Sequence, residues 1–124
     1  VYPKQFNAVQ KILLSNIKTL PDDKEIIVNF NRVIKRGWEH FDNAVINALR
    51  LLDRLHVQNV SLAGFDGFKH KYNESYADAA LPTLNPDNKW DELNEEIDDM
   101  FRNFRLSSGM KISFLTESIF DHGE

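Results

Sequence analysis

The stretch NVSLAGFDGF, residues 59–68, is a short run of branched apolar residues that breaks into glycines around Asp66. A run of this length before turn residues predicts a buried strand from Asn59 to Ala63, followed by a turn. Segments with helical periodicity lie on both sides of it, and two further branched runs, residues 25–30 and 110–115, lie beyond them. The order strand, helix, strand, helix, strand predicts a largely parallel sheet with right-handed crossovers.

Both helical segments have one apolar stripe. Apolar steps of three and four predict a first helix from about Trp38 to His56. The second helix is predicted to follow Asn85 as its N-cap, with Pro86 as the first helical residue and Gly109 as the terminator. The stripes consist of Trp38, Phe41, Val45, Ala48, Leu52 and Leu55 in the first helix, and of Trp90, Leu93, Ile97, Phe101 and Phe104 in the second. Each helix is therefore expected to pack against a sheet.

The amino-terminal segment leaves two alternatives open. A short strand from Lys11 to Asn16, after a helical turn over Pro3 to Val9, is favoured over a helix that would use the same apolar residues. The connection Lys18 to Lys24 is shorter than the ~10 to 12 residues of a parallel crossover, so such a strand is expected to be antiparallel or at an edge. The whole pattern predicts one α/β domain over residues 1–124, a three-layer Rossmann-like fold with a mostly parallel sheet of about four strands.

Composition narrows the class of protein. With 124 residues, 42% of them hydrophobic, the chain suits one soluble domain, and its net charge of −4 argues against a nucleic-acid partner. No apolar run reaches the ~20 residues of a membrane helix, and the absence of cysteine fits a reducing compartment, so a cytoplasmic location without a membrane partner is predicted. Because the chain does not begin with Met, we expect it to be part of a longer polypeptide; a homo-oligomer stays open.

Polar or small residues follow each predicted strand. In open α/β sheets ligands bind outside the carboxyl ends of the strands, so these residues are ligand-binding candidates. They are Ser15, Asn16, Asn29, Asn31, Arg32, Gly64, Asp66, Gly67, Thr116, Glu117 and Ser118. Arg32 could hold an anion, Asp66 could accept from a ribose hydroxyl or hold a hydrated divalent ion, and the hydroxyl residues could supply further hydrogen bonds. The alternative is that such residues only turn the chain.

The long connection after the central strand, residues 67–84, is a second candidate region. It contains Lys69, His70, Lys71, Tyr72 and Tyr76. Loops above ~12 to 15 residues are often functional, and Lys69 and Tyr72 are candidates because a cation beside an aromatic ring can clamp an anion or stack on a ring. The alternative is a surface loop whose tyrosines cover the core.

Catalytic signatures are absent from the sequence. It contains no dinucleotide-binding or P-loop glycine motif and no nucleophile elbow. Its histidines, His40, His56, His70 and His122, form no metal-binding pair, so no metal site is predicted. The acids Glu95, Glu96, Asp98 and Asp99 are expected to form a solvated helix face. No catalytic residue is assigned, and the cofactor stays unknown.

Several segments taken together resemble the C-terminal domain of bacterial aldolase-like proteins. The segments are KILLSNI, EIIVNFNR, VSLAGFDGF, LPTLNPDNKWDELNEEIDDMF and MKISFLTES, and they span most of the chain. The proteins are similar to 4-hydroxy-2-oxovalerate aldolase and hydroxymethylglutaryl-CoA lyase. In that family a carbon–carbon lyase reaction belongs to an N-terminal barrel that holds a divalent metal, and this chain has neither the barrel's eight strands nor its HxH pair.

The resemblance therefore implies an accessory domain, without the aldolase active site, that contributes ligand binding or assembly beside an N-terminal aldolase barrel of the same chain. The divalent metal is expected only in that barrel. GFDGF is also similar to Rossmann-like domains of some sialyltransferase-like and pterin-kinase-like proteins, which matches Gly64 and Asp66. This second similarity implies the alternative function, a transferase-type domain that binds a nucleotide or nucleotide sugar.

Overall fold

The structure is a computed structural model that describes residues 9–17, 25–68 and 89–123. The chain divides into two compact units, Val1–Lys35 and Arg36–Glu124, each of which is described by itself. The helical turn predicted before Val9 and most of the connection after Gly67 lie outside the described residues. The protein is α/β, and the single-domain organisation of residues 1–124 stays a prediction.

The first unit contains a parallel strand pair, β1 (Lys11–Leu14) and β2 (Glu25–Val28). Residues 11–14 are thus a strand and not a helix. Of the two expected arrangements the antiparallel one is wrong, whereas β1 does lie at an edge of its described two-stranded sheet. The strand ends two residues earlier than predicted because a turn begins there, with the Ile17 N–H donating to the Leu14 carbonyl at 3.0 Å. The earlier end leaves residues 15–24 for the connection, close to the ~10 residues that a parallel crossover needs.

In the second unit the first helix, α1 (Ala44–Arg54), begins six residues later than the periodicity predicts. Asn43 is its N-cap: the Asn43 side chain accepts from the Ile46 N–H at 3.1 Å. The predicted stripe is confirmed for Val45 and Leu52, which pack against the core. It is wrong for the others, since Trp38 and Phe41 precede the helix and Ala48 and Leu55 are exposed. The buried residues of α1 are Ile46, Asn47 and Leu49. The apolar residues Val45, Ile46, Leu49 and Leu52 are also separated by steps of three and four. The sequence of this helix is therefore compatible with two different buried faces, and periodicity alone does not choose between them.

The second helix, α2 (Trp90–Ser107), confirms its predicted stripe. Trp90, Leu93, Ile97, Phe101 and Phe104 are all buried, together with Met100. The helix does not include Lys89, so a start at Pro86 is wrong, whereas the structure of Asn85 and Pro86 lies outside the described residues. It ends at Ser107, whose hydroxyl donates to the Phe104 carbonyl at 3.0 Å, and Gly109 is not its terminator.

The helices cover one face of a second parallel pair, β3 (Asn59–Leu62) and β4 (Lys111–Phe114). Val60, Leu62, Ile112 and Phe114 alternate along these strands and pack in the core with α1 and α2. The other face is polar and exposed, and the Ser61 and Ser113 hydroxyls lie 2.9 Å apart across it. In the described residues of this unit, the sheet and its helices therefore make two layers.

The predicted sheet is confirmed only in part. All four strands exist and both pairs are parallel, but the described strands form two separate pairs, β1–β2 and β3–β4. A single sheet of about four strands with helices on both faces is not confirmed. Within the described part of the chain no helix is long and apolar enough to cross a membrane.

The acidic face of α2 holds the chain segments that flank the core. The prediction of a solvated face is wrong for Glu96 and Asp98, which are partly buried, whereas Glu95 and Asp99 are exposed. Glu96 accepts from the His40 backbone N–H at 2.6 Å and contacts its ring nitrogen Nδ1 at 2.8 Å. The Trp38 indole donates to Asp99 at 2.7 Å. Asp98 contacts His122 at 2.6 Å. These contacts attach the chain before α1 and the chain after β4 to one helix.

A tight turn connects the end of α1 to the strand β3. His56 has φ 61, the left-handed conformation that glycine usually supplies after a helix. Its N–H donates to the Asp53 carbonyl at 3.0 Å, and the Val57 N–H donates to the Leu52 carbonyl at 3.0 Å. This pair of bonds is a Schellman motif, which turns the chain from the helix into β3.

Candidate functional site

A cleft of about 360 Å³ opens at the carboxyl end of β3. Its lining comprises Asn43, Ala44, Val45, Gly64, Phe65, Asp66, Gly67, Phe68, Ile97 and Phe120. The volume lies in the ~300 to 1,000 Å³ range of small-molecule sites. The position follows from the topology: a helix that precedes a parallel strand runs against it, so the start of α1 lies at the same edge as the end of β3.

Three predicted residues are linked at this edge. The Gly64 N–H donates to the Thr116 hydroxyl oxygen at 2.9 Å, and the Thr116 hydroxyl donates to Oδ1 of Asp66 at 2.8 Å. These bonds join the loop after β3 to the loop after β4. Asp66 is exposed, and its carboxylate accepts no other hydrogen bond from the described residues, so Oδ2 is available to a ligand.

Ser118 and Gly67 complete the contact between the two loops. The Ser118 hydroxyl donates to the Phe65 carbonyl, and the Ile119 N–H donates to the Asp66 carbonyl at 3.3 Å. Gly67 has φ 95, and a Cβ there would lie 2.5 Å from Cδ1 of Ile119. Gly67 is therefore needed both for its conformation and for this close approach, which makes its role structural.

Phe68 is fixed to α2 on the far side of the cleft. The Asn94 side chain accepts from the Phe68 N–H at 2.8 Å and donates to the Phe68 carbonyl at 2.7 Å. The Phe68 ring stacks on Trp90 with centroids 5.0 Å apart. Because one amide side chain satisfies both backbone groups, the wall of the cleft is held in a defined position without a further strand.

The first two residues of α1 add hydrogen-bond donors to the cleft. The backbone N–H groups at a helix start have no partner inside the helix. The Asn43 side chain satisfies that of Ile46, while no described residue accepts from those of Ala44 and Val45. These two amides lie at the positive end of the helix dipole. The cleft therefore combines donors that suit an anion with a carboxylate that accepts from hydroxyls.

The candidates from the first strand pair lie in the other unit. Ser15 is structural there: its N–H donates to the Val28 carbonyl at 2.8 Å and its hydroxyl accepts from the Phe30 N–H at 2.9 Å. Asn29 accepts from the Asn31 N–H at 3.0 Å, and Asn16, Asn31 and Arg32 are exposed. A single sheet edge that carries all of these candidates is not confirmed, since the described strands form two pairs.

The remaining candidates have mixed outcomes. Glu117 is exposed and does not line the cleft. Lys69 and Tyr72 lie outside the described residues, so their roles stay predictions. Among the residues that the structure describes, no group of three or more acids or histidines could hold a metal ion. On α1, burial lowers the pKa of the Arg50 guanidinium, which still carries its charge at neutral pH.

Sequence reasoning missed Ala44 and Val45. The periodicity placed them inside a longer helix, where their amides would be hydrogen-bonded. The signal that could have found them is Asn43, a preferred N-cap residue directly before a run of helix formers.

Comparisons with known proteins identify no relative. No protein-family model, no curated protein and no solved structure matches the chain. The fold and the cleft define an α/β protein with parallel strand pairs and a cleft at the carboxyl end of one of them.

Proposed function

We propose that this chain is an accessory ligand-binding domain of an aldolase-like protein. It binds a small anionic ligand that carries hydroxyl groups, and the carbon–carbon bond chemistry belongs to an N-terminal barrel. The observation that carries the ligand-binding part is the cleft, in which Asp66 faces the same space as the first residues of α1. The aldolase context rests on the resemblance of five sequence segments, and a complete Rossmann-like, three-layer sheet belongs to the same proposal.

The physical argument for the ligand class has two parts. Ala44 and Val45 supply backbone donors at a helix start, where a phosphate or carboxylate is stabilised by the hydrogen bonds and by the dipole. Asp66 supplies an acceptor that can take only hydrogen-bond donors when it is ionised. A phosphorylated sugar satisfies both parts, whereas a purely apolar compound satisfies neither.

A second candidate is a transferase-type domain that binds a nucleotide or a nucleotide sugar. The observation that favours it is the apolar part of the lining, Phe65, Ile97 and Phe120, which could contact a base. Calorimetric titrations separate the candidates. AMP is ribose 5-phosphate with a base at C1, and its binding at least about tenfold more tightly than ribose 5-phosphate would support the nucleotide domain, because a base contact worth ~1.4 kcal/mol changes affinity tenfold. Equal affinities would support the sugar-phosphate domain.

We expect Asp66→Asn to weaken the binding of ribose 5-phosphate by about tenfold or more, because a hydrogen bond to a charged acceptor contributes ~1.5 to 3 kcal/mol. Inorganic phosphate should bind the variant no more weakly than the wild type, since the substitution removes a negative charge. Asp121→Asn is the matched control, because Asp121 is an exposed aspartate that does not line the cleft. An unchanged affinity of Asp66→Asn for ribose 5-phosphate would count against the site.

Ala44→Pro removes one of the two proposed anion donors and leaves the helix intact. Proline is favoured at the first helical position, and Asn43 has φ −97 and ψ 124, the extended conformation that a residue before proline prefers. We expect a melting temperature no lower than that of the wild type and about fivefold weaker binding of inorganic phosphate, roughly 1 kcal/mol for one hydrogen bond. Ala44→Ser, which keeps the amide, is the control. Full phosphate affinity in the folded proline variant would exclude the Ala44 amide from the site.

A further inference from the structure

We infer that Thr116 is a positioning residue that makes the cleft select ligands with hydroxyl groups over otherwise identical ligands without them. The inference rests on the proposed function, because it concerns the same cleft. It starts from the direction of two hydrogen bonds. A backbone N–H can only donate, so the bond from Gly64 obliges the Thr116 oxygen to act as acceptor.

The direction of the first bond decides that of the second. A threonine hydroxyl has one proton, and that proton is directed at Oδ1 of Asp66, 2.8 Å away. The two hydrogen bonds therefore have a fixed direction: Gly64 donates to Thr116, and Thr116 donates to Asp66. The second bond occupies one carboxylate oxygen and holds the carboxylate plane, so that Oδ2 is the acceptor that remains for a ligand.

The space beside this acceptor is open. Gly64 has φ 75, and a Cβ built there would meet no atom within 4 Å. Asp66, Gly64 and Gly67 all line the cleft, so a ligand hydroxyl can approach the carboxylate past residues without side chains. Without the Thr116 hydroxyl the Asp66 carboxylate could rotate. The Gly64 N–H would then lack its acceptor and would compete with the ligand hydroxyl for the carboxylate oxygens. Loss of Thr116 should therefore remove hydroxyl selectivity and not only affinity.

The experiment compares two ligands on three proteins by calorimetry or by NMR titration. The ligands are ribose 5-phosphate and tetrahydrofurfuryl phosphate, which has the same ring and phosphate but no hydroxyl groups. We expect the wild type and Thr116→Ser to prefer ribose 5-phosphate by about 10- to 100-fold, the effect of hydrogen bonds to a charged acceptor. We expect Thr116→Val, which has the shape of threonine without its hydroxyl, to show a preference below about threefold.

The outcomes are distinct. A merely structural role for Thr116 would lower both affinities in Thr116→Val by the same factor, and an unchanged ratio would overturn the inference. Equal binding of the two ligands to the wild type would overturn it together with the hydroxyl part of the proposed ligand class, and would leave the anion-binding part standing. Binding of neither ligand would overturn the proposed function itself. Thr116→Ala, which fills less space, provides the same measurement if Thr116→Val does not fold.

Discussion

Phe101→Ala is expected to lower the free energy of unfolding by about 3 to 5 kcal/mol, the usual loss for a large aromatic side chain removed from a core. Phe101 is fully buried in the middle of α2. Its ring makes edge contacts with Phe65 at 5.6 Å, after β3, and with Phe114 at 5.9 Å, in β4. One side chain thus connects the helix to β4 and to the loop after β3, where Phe65 lines the cleft.

Urea denaturation followed by tryptophan fluorescence measures the effect of Phe101→Ala. Leu106→Ala is the matched control on the same helix, because Leu106 is 89% exposed and its truncation should change stability by less than about 0.5 kcal/mol. A domain of this size has a total stability of about 5 to 15 kcal/mol, so the loss is a large share of the total and should lower the urea midpoint of the Phe101 variant clearly. Equal unfolding midpoints for the two variants would contradict the assignment of the core.

Gly67→Ala is expected to lower the free energy of unfolding by about 2 to 4 kcal/mol. Part of the cost is conformational, since φ 95 is a region that a residue with a Cβ rarely adopts. The other part is steric, because the new Cβ would lie 2.5 and 2.6 Å from two side-chain atoms of Ile119. Gly64→Ala is the matched control: it has φ 75 but open space around the Cβ position, so only the conformational cost of about 1 to 2 kcal/mol applies.

A double-mutant cycle separates the two parts of the Gly67 effect. In an Ile119→Ala background the clash is relieved, so Gly67→Ala should cost about as much as Gly64→Ala does in the wild type. Thermal unfolding of the four proteins gives the coupling free energy. If Gly67→Ala were no more destabilising than Gly64→Ala in the wild-type background, the result would contradict the close approach between Gly67, after β3, and Ile119, after β4.

Much of the fold could be predicted from the sequence. The branched runs at residues 25–28, 59–62 and 111–114 are strands, and the stripe from Trp90 to Phe104 is buried as its spacing indicates. The alternation of Val60 and Leu62 with Asn59 and Ser61 also indicates that β3 has one buried face. Residues 11–14 and 25–28 are more continuously apolar, a pattern typical of parallel strands covered on both faces, yet Ile12, Ile26 and Ile27 are exposed.

Other features could not be predicted, for physical reasons. The start of α1 is decided by the Asn43 cap and by the attachment of Trp38 and His40 to α2, and the second of these is a long-range contact that no local pattern reports. The pairing of strands depends on which chain segments meet, so the two separate pairs were not evident from the order of elements. The partnership of Asp66 with Thr116, fifty residues apart, has the same origin.

The candidate site was predicted as a location more accurately than as a set of residues. Gly64, Asp66 and Gly67 line the cleft, and Thr116 and Ser118 support it. The turn role of these residues is visible in the hydrogen bonds that close the loops. The proposed ligand role is compatible with it, because those bonds leave one carboxylate oxygen of Asp66 open.

The central claim is that the strand-end cleft binds the ligand, and amide chemical-shift mapping of the full chain with ribose 5-phosphate tests it most directly. A second surface depression of about 380 Å³ lies at the opposite, amino ends of β3 and β4, lined in part by His56 and Lys111, and serves as an internal control. We predict saturable shifts at Ala44, Val45 and Gly64 with none at the second depression. Shifts confined to His56 and Lys111, or no saturable shift at all, would contradict the account.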